Sequence, residues 1–185
     1  LNDLTSRELW LNTLNNGSEN APDSVGLAVH IDLAFGFHTD AGLKTNDTIV
    51  GSLGIFMTKE GNELFPNGQS RYASRDFSDM VLTEINNSVK QQFDKKWAIR
   101  GLWNKSYIEA RIPQVPTMLL ELLSHQNPTD VRYALDPHFQ FMVSRAIYKA
   151  IVKYISFQNN VSYAIQPLPI NSFYIKEKNI DSIQL

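Results

Sequence analysis

The chain has 185 residues, 43% hydrophobic and 19% charged, with a formal net charge of −2. That is enough for one domain with a real core, and it gives no electrostatic case for nucleic acid. The absence of cysteine excludes disulfide scaffolds and thiolate metal sites, and no apolar run is long enough to span a membrane.

The chain begins at Leu1 rather than Met, which reads as a mature product or a fragment; a signal peptide removed before residue 1 would be invisible in it. Residues 5–16 predict a short helix, with Thr5 and Glu8 spaced as a capping box and Asn16-Gly17 as its stop. Residues 17–24 have loop chemistry. Residues 25–37 are almost continuously apolar, as in a strand covered on both faces, and lead directly into His38-Thr39-Asp40-Ala41-Gly42. A polar cluster at the end of a buried strand is where open α/β sheets place their sites.

A second strand is predicted over 49–58, then a loop over 59–70. Phe77, Val81, Ile85, Val89 and Phe93 recur every fourth residue and predict a helix over 74–93, capped by Ser74 or Asp76. Residues 106–111 read as a short strand. Asn127-Pro128 marks a turn or helix start. Asp136-Pro137 is a stronger one, with Asp as N-cap and Pro in the first turn of a helix to about Ser156. Asn159-Asn160 and Gln166-Pro-Leu-Pro then read as a linker. Residues 1–157 are thus taken as one domain, and 158–185 as linker or the start of a further module. Strands alternating with amphipathic helices predict an α/β fold, with a mostly parallel central sheet and helices on both faces.

Glu121 is the sole carboxylate in the apolar run Pro116 to Leu123. Buried without a partner, it would be costly to ionise and its pKa would rise, which suits a general acid or base. A helix with one solvated Glu is the plainer reading. Glu121 and His125 share a face if 117–126 is helical, as propensity favours. In a strand they are about 13 Å apart and cannot ligate one metal together. His30 and His38, on one strand, would be about 26 Å apart. His30 reads as a core or edge histidine, and His138 as a surface residue in the first turn of the last helix.

The segment Val29 to Gly42, ending Phe-His-Thr-Asp-Ala-Gly, resembles the strand and histidine element of zinc-dependent N-acetylmuramoyl-L-alanine amidases. Tyr107 to Asn127, with Glu-Ala-Arg, Val-Pro-Thr-Met-Leu-Leu-Glu and Gln-Asn, resembles that family's strand, turn and catalytic-glutamate strand. More narrowly, the chain is similar to envelope proteins of Bacteroides-type bacteria known as xanthan lyases, although its residues point to the amidase fold. The resemblance covers about residues 25–157. It implies an amidase-like three-layer sandwich in which 117–123 is a buried strand, so His125 is not a ligand.

By that resemblance His38 is a zinc ligand and Glu121 the catalytic glutamate, while Arg111, Asp40 and Asn127 bind substrate. The family's Asp-x-Gly-His-Gly-Gly turn and following Glu have no counterpart here, so two further zinc ligands are expected upstream of residue 1. The implied reaction is hydrolysis of the amide between lactyl-glycan and stem peptide of peptidoglycan, in the periplasm, the envelope or outside the cell. Two alternatives stand beside it. One is a non-catalytic envelope-binding module with the same fold. The other is a polysaccharide lyase using Tyr107, His38 and Arg111.

Overall fold

The computed structural model describes residues 3–15, 17, 25–42, 48–58 and 63–167. The elements in order are α1 (Asp3–Asn15), β1 (Ala34–Asp40), β2 (Ser52–Phe56), α2 (Tyr72–Gln92), β3 (Ile99–Asn104), α3 (Ile108–Arg111), β4 (Thr117–Ser124), α4 (Pro128–Ala134) and α5 (Pro137–Gln158). Most of the 17–24 loop, part of the 59–70 loop and the linker beyond 167 lie outside the described residues.

The sheet has the order β1-β4-β2-β3. β1 is parallel to β4 and β2 to β3, while β2 and β4 are antiparallel. Two of the three junctions are parallel, as the sequence predicts, but the two halves of the sheet run in opposite directions. Residues Met118, Leu120 and Leu122 of β4 point to one face. There they pack against Phe77, Val81, Leu82, Ile85 and Val89 of α2 and Phe139, Met142, Val143, Ala146 and Tyr154 of α5. Burying each large side chain is worth about 1.5–3 kcal/mol. Leu53, Ile55 and Leu119 form a smaller cluster on the opposite face, where α3 and then α1 lie. Asn12 fastens α1 there, donating to Ile112 O at 2.9 Å and accepting from Gln114 N at 2.9 Å.

β4 is a strand although Met, Leu and Glu favour helix. It is central, laddered on both edges and covered on both faces. Those gains outweigh propensity differences of a few tenths of a kcal/mol per residue. Its end carries a bulge: His38 pairs with Glu121 but Asp40 pairs with Ser124. Leu123 takes φ 64° and donates to Gly51 O at 2.9 Å, so Leu122 and Leu123 both bury in the α5-side core.

Four sequence expectations need correction. The first strand is shorter than 25–37. Gly26 and Ala28 adopt φ 70° and 53°, and Leu27 and Val29 donate to Thr13 and Leu14 O at the end of α1. Their N–H groups are spent on that helix, and Val25, Leu27 and Val29 are exposed. Secondly, 106–111 is not a strand: β3 precedes it, and Ile108–Arg111 is the single turn α3. Thirdly, α1 (Asp3–Asn15) already contains Thr5, so Thr5 is not its N-cap. Gly17, at φ 104°, closes that helix with its N–H on Asn12 O. Finally, neither Ser74 nor Asp76 caps α2, whose N-cap is Arg71; Ser74 Oγ instead accepts Thr117 N–H at 3.0 Å. Asp136 does cap α5, accepting from His138 and Phe139 N–H with Pro137 in the first turn.

Candidate active site: the His38–Glu121 cleft

Glu121 is the last residue of the central strand in register before the bulge. His38 of β1 and Leu53 of β2 flank it, so all three side chains lie on the α1/α3 face of the sheet. Glu121 is half-buried, and its Oε2 is enclosed with no hydrogen-bond partner among the described residues. Burial raises its pKa above the ordinary 4.5; Asp40 and Glu109 add to the rise, while His38 and Arg100 oppose it.

Glu109 reaches across from α3, with Oε1 3.0 Å from His38 Nε2. A neutral imidazole that donates Nε2–H to this carboxylate keeps its lone pair on Nδ1. Asp40 forms an ion pair with Arg100 and accepts Ala41 N–H at 2.7 Å. Burial alone would raise the Asp40 pKa, but the Arg100 hydrogen bond, the Ala41 N–H and the nearby positive charges hold it below 3.8. The opposed halves of the sheet make the Arg100 contact possible: a residue at the start of β3 arrives at the end of β1. A cavity of about 430 Å³ opens beside His38 and Glu109, with Arg7, Glu8 and Leu11 of α1 on its far wall.

The other sequence candidates lie elsewhere. Asn127 is fully buried and caps α4, accepting Asp130 N–H at 3.1 Å and donating to Thr48 O at 3.1 Å. Both ends of its amide are therefore spent on backbone. Arg111 sits two residues beyond Glu109 and lines a different cavity. His125 follows β4 in a turn, with Nδ1 3.2 Å from Thr39 Oγ1. His30 is no core residue: it is exposed and bonds Asp32 at 3.0 Å. His138 is exposed, as expected. Sequence reasoning missed Glu109 and Arg100. The first fell in a segment read as strand, and the second in a strand whose alternation is broken by Gly101.

The family model for N-acetylmuramoyl-L-alanine amidase (Amidase_3) matches residues 14–153. The chain belongs to this amidase family. Solved amidases share its fold. An N-acetylmuramoyl-L-alanine amidase of Clostridium difficile 630 is 16% identical with a TM-score of 0.60, over 84% of this chain and 66% of that one. The CwlD amidase of Clostridioides difficile, solved with the GerS lipoprotein, is 17% identical with a TM-score of 0.53, over 69% and 56%. Ami1 of Mycobacterium smegmatis is 18% identical with a TM-score of 0.53, over 68% and 55%. The chain thus spans less than two-thirds of each of these amidases. None of the curated proteins compared with it matches.

A catalytic zinc takes three protein ligands and keeps one position open. The described residues of this chain do not complete such a set: no group of three or more His, Asp or Glu among them is placed to hold a metal ion. Around the paired His38 and Glu121 positions the described residues offer one imidazole, one carboxylate already bonded to it, and one carboxylate with an enclosed oxygen that has no partner among them.

Proposed function

We propose that this amidase-family chain carries the base-bearing part of a peptidoglycan amidase site, acting on the amide between lactyl-glycan and stem peptide. The observation that carries the reading is Glu121: a half-buried carboxylate of raised pKa, beside His38, with one oxygen that has no partner among the described residues. Such a group takes a proton from an attacking water and returns it to the leaving amine. Glu109 orients the His38 ring, and the Asp40–Arg100 ion pair sets the charge felt by Glu121. Zinc is proposed as the cofactor and His38 as one of its ligands, with the rest drawn from outside the described residues. When bound, zinc supplies a water of lowered pKa. The substrate sets the place of action as the periplasm, the envelope or the cell exterior.

The donor set among the described residues holds fewer than three ligands, and a second reading stands beside the first, an envelope-binding module that retains the fold. Incubating the full-length protein, with and without added zinc, with muropeptides, intact sacculi and xanthan separates the readings. Release of free stem peptide, reduced about 10²–10⁴-fold in Glu121→Gln with an unchanged circular dichroism spectrum, is expected. Co-sedimentation with sacculi and no release would replace the amidase with the binding module. Unsaturated-uronate absorbance from xanthan would replace both with a lyase.

A further inference from the structure

Arg71, the N-cap of α2, is only 4% exposed. Its guanidinium stacks over the Phe65 ring, 4.6 Å from the centroid. Of its five N–H donors, those of Nη2 reach one acceptor, Arg111 O at 3.3 Å, while Nε and Nη1 are enclosed and have no partner among the described residues. No carboxylate among the described residues forms an ion pair with it. Burying a charge without a paired anion is costly, and among the described residues only the Phe65 ring and the Arg111 carbonyl offset it.

The side chain borders a cavity of about 470 Å³ whose walls include Phe65, Pro66, Ile112, Gln114 and a second cation, Arg111. This cavity is separate from the His38–Glu121 cleft. Its residues follow β2 and precede β4, at the opposite end of those strands from the Asp40–Arg100 pair. The walls combine apolar side chains with two guanidinium groups. That pairing suits a carboxylate on an apolar body, such as an amino acid or peptide terminus, better than a fully hydrated anion.

We propose that Arg71 and Arg111 form a carboxylate-binding site, with Arg71 as the enclosed anchor and Arg111 as the second cation at the mouth. This goes beyond the amidase reading and does not depend on it, because binding is measured without turnover. The test is calorimetric titration of the full chain with N-acetylalanine, with its neutral amide, and with inorganic phosphate. Saturable binding of N-acetylalanine is expected, with no binding of the amide and weaker binding of phosphate. Arg71→Gln should weaken N-acetylalanine about tenfold or more, and Arg111→Gln by a smaller factor. The Arg71 Nε–H resonance of the unaltered chain should also shift on titration, a readout that stands even where Arg71→Gln fails to fold.

An absence of saturable binding to the unaltered chain would overturn the proposal, as would equal binding of the amide. So would tighter binding of phosphate, an unmoved Nε–H resonance, or full affinity in a folded Arg71→Gln variant.

Discussion

Glu121 and Asp40 lie near one another yet respond to pH with opposite sign. Burial lifts the native pKa of Glu121 above 4.5, so the native state holds that proton more tightly than the unfolded chain does. Below 4.5 the carboxyl is neutral in both states and carries no penalty. As pH rises through 4.5 to the raised value, the native state loses stability. Glu121→Gln should therefore melt higher than the parent at pH 7, on the order of a few degrees, with the gap closing as the pH falls below 4.5. Asp40 is depressed below 3.8, so its contribution is present above that value and is lost as the pH falls through the native pKa. Asp40→Asn should melt lower than the parent at pH 7, with the difference fading in acid. Thermal melts of both variants across pH 3–8 check the pair; a Glu121→Gln variant that melts lower at neutral pH would mean the carboxylate has a stabilising partner. At this scale the sequence was informative about Glu121, since a carboxylate inside a leucine run has few solvated options. It was silent about Glu109, whose role comes from a three-dimensional approach to His38 across 71 positions of chain.

Asp130 ties two strands to a helix start. It is fully buried and accepts Val50 N–H at 3.0 Å and Ser124 N–H at 2.8 Å, joining the entry of β2 to the exit of β4 beside the bulge. Asp130→Ala would strand both donors in the interior. A loss on the order of 3 kcal/mol is expected in urea unfolding, against well under 1 kcal/mol for removal of an exposed charge. The long elements were legible from the chain: α2 and α5 announce themselves by a period near four and, for α5, by Asp-Pro at its head. β4 was legible only through family resemblance, because its local propensity points to helix and its burial on both faces decides otherwise. The swap of β3 for 106–111 has a plain cause. Ile99, Gly101 and Trp103 alternate weakly because the middle position has no side chain, whereas Ser-Tyr-Ile-Glu-Ala-Arg imitates a strand and folds as one turn.

Across the molecule, protection should follow the layers. β4 has neighbours on both edges, and α2 and α5 share its core, while β1 and β3 each have one laddered edge among the described residues. Native-state hydrogen exchange should show the slowest amides in β4 and along the inner faces of α2 and α5. β1 and β3 should come next and α1 should exchange fastest of the long elements. A slowest set located in α1 or β3 would contradict this order. The reversal of direction between the two halves of the sheet also bears on how such a protein diversifies. β1 ends, β2 and β3 begin and β4 ends at the cleft end, while β2 ends and β4 begins at the Arg71 end. Length can be gained or lost at either end without shifting a single ladder partner. Lineages are therefore free to reshape one recess while inheriting the other intact.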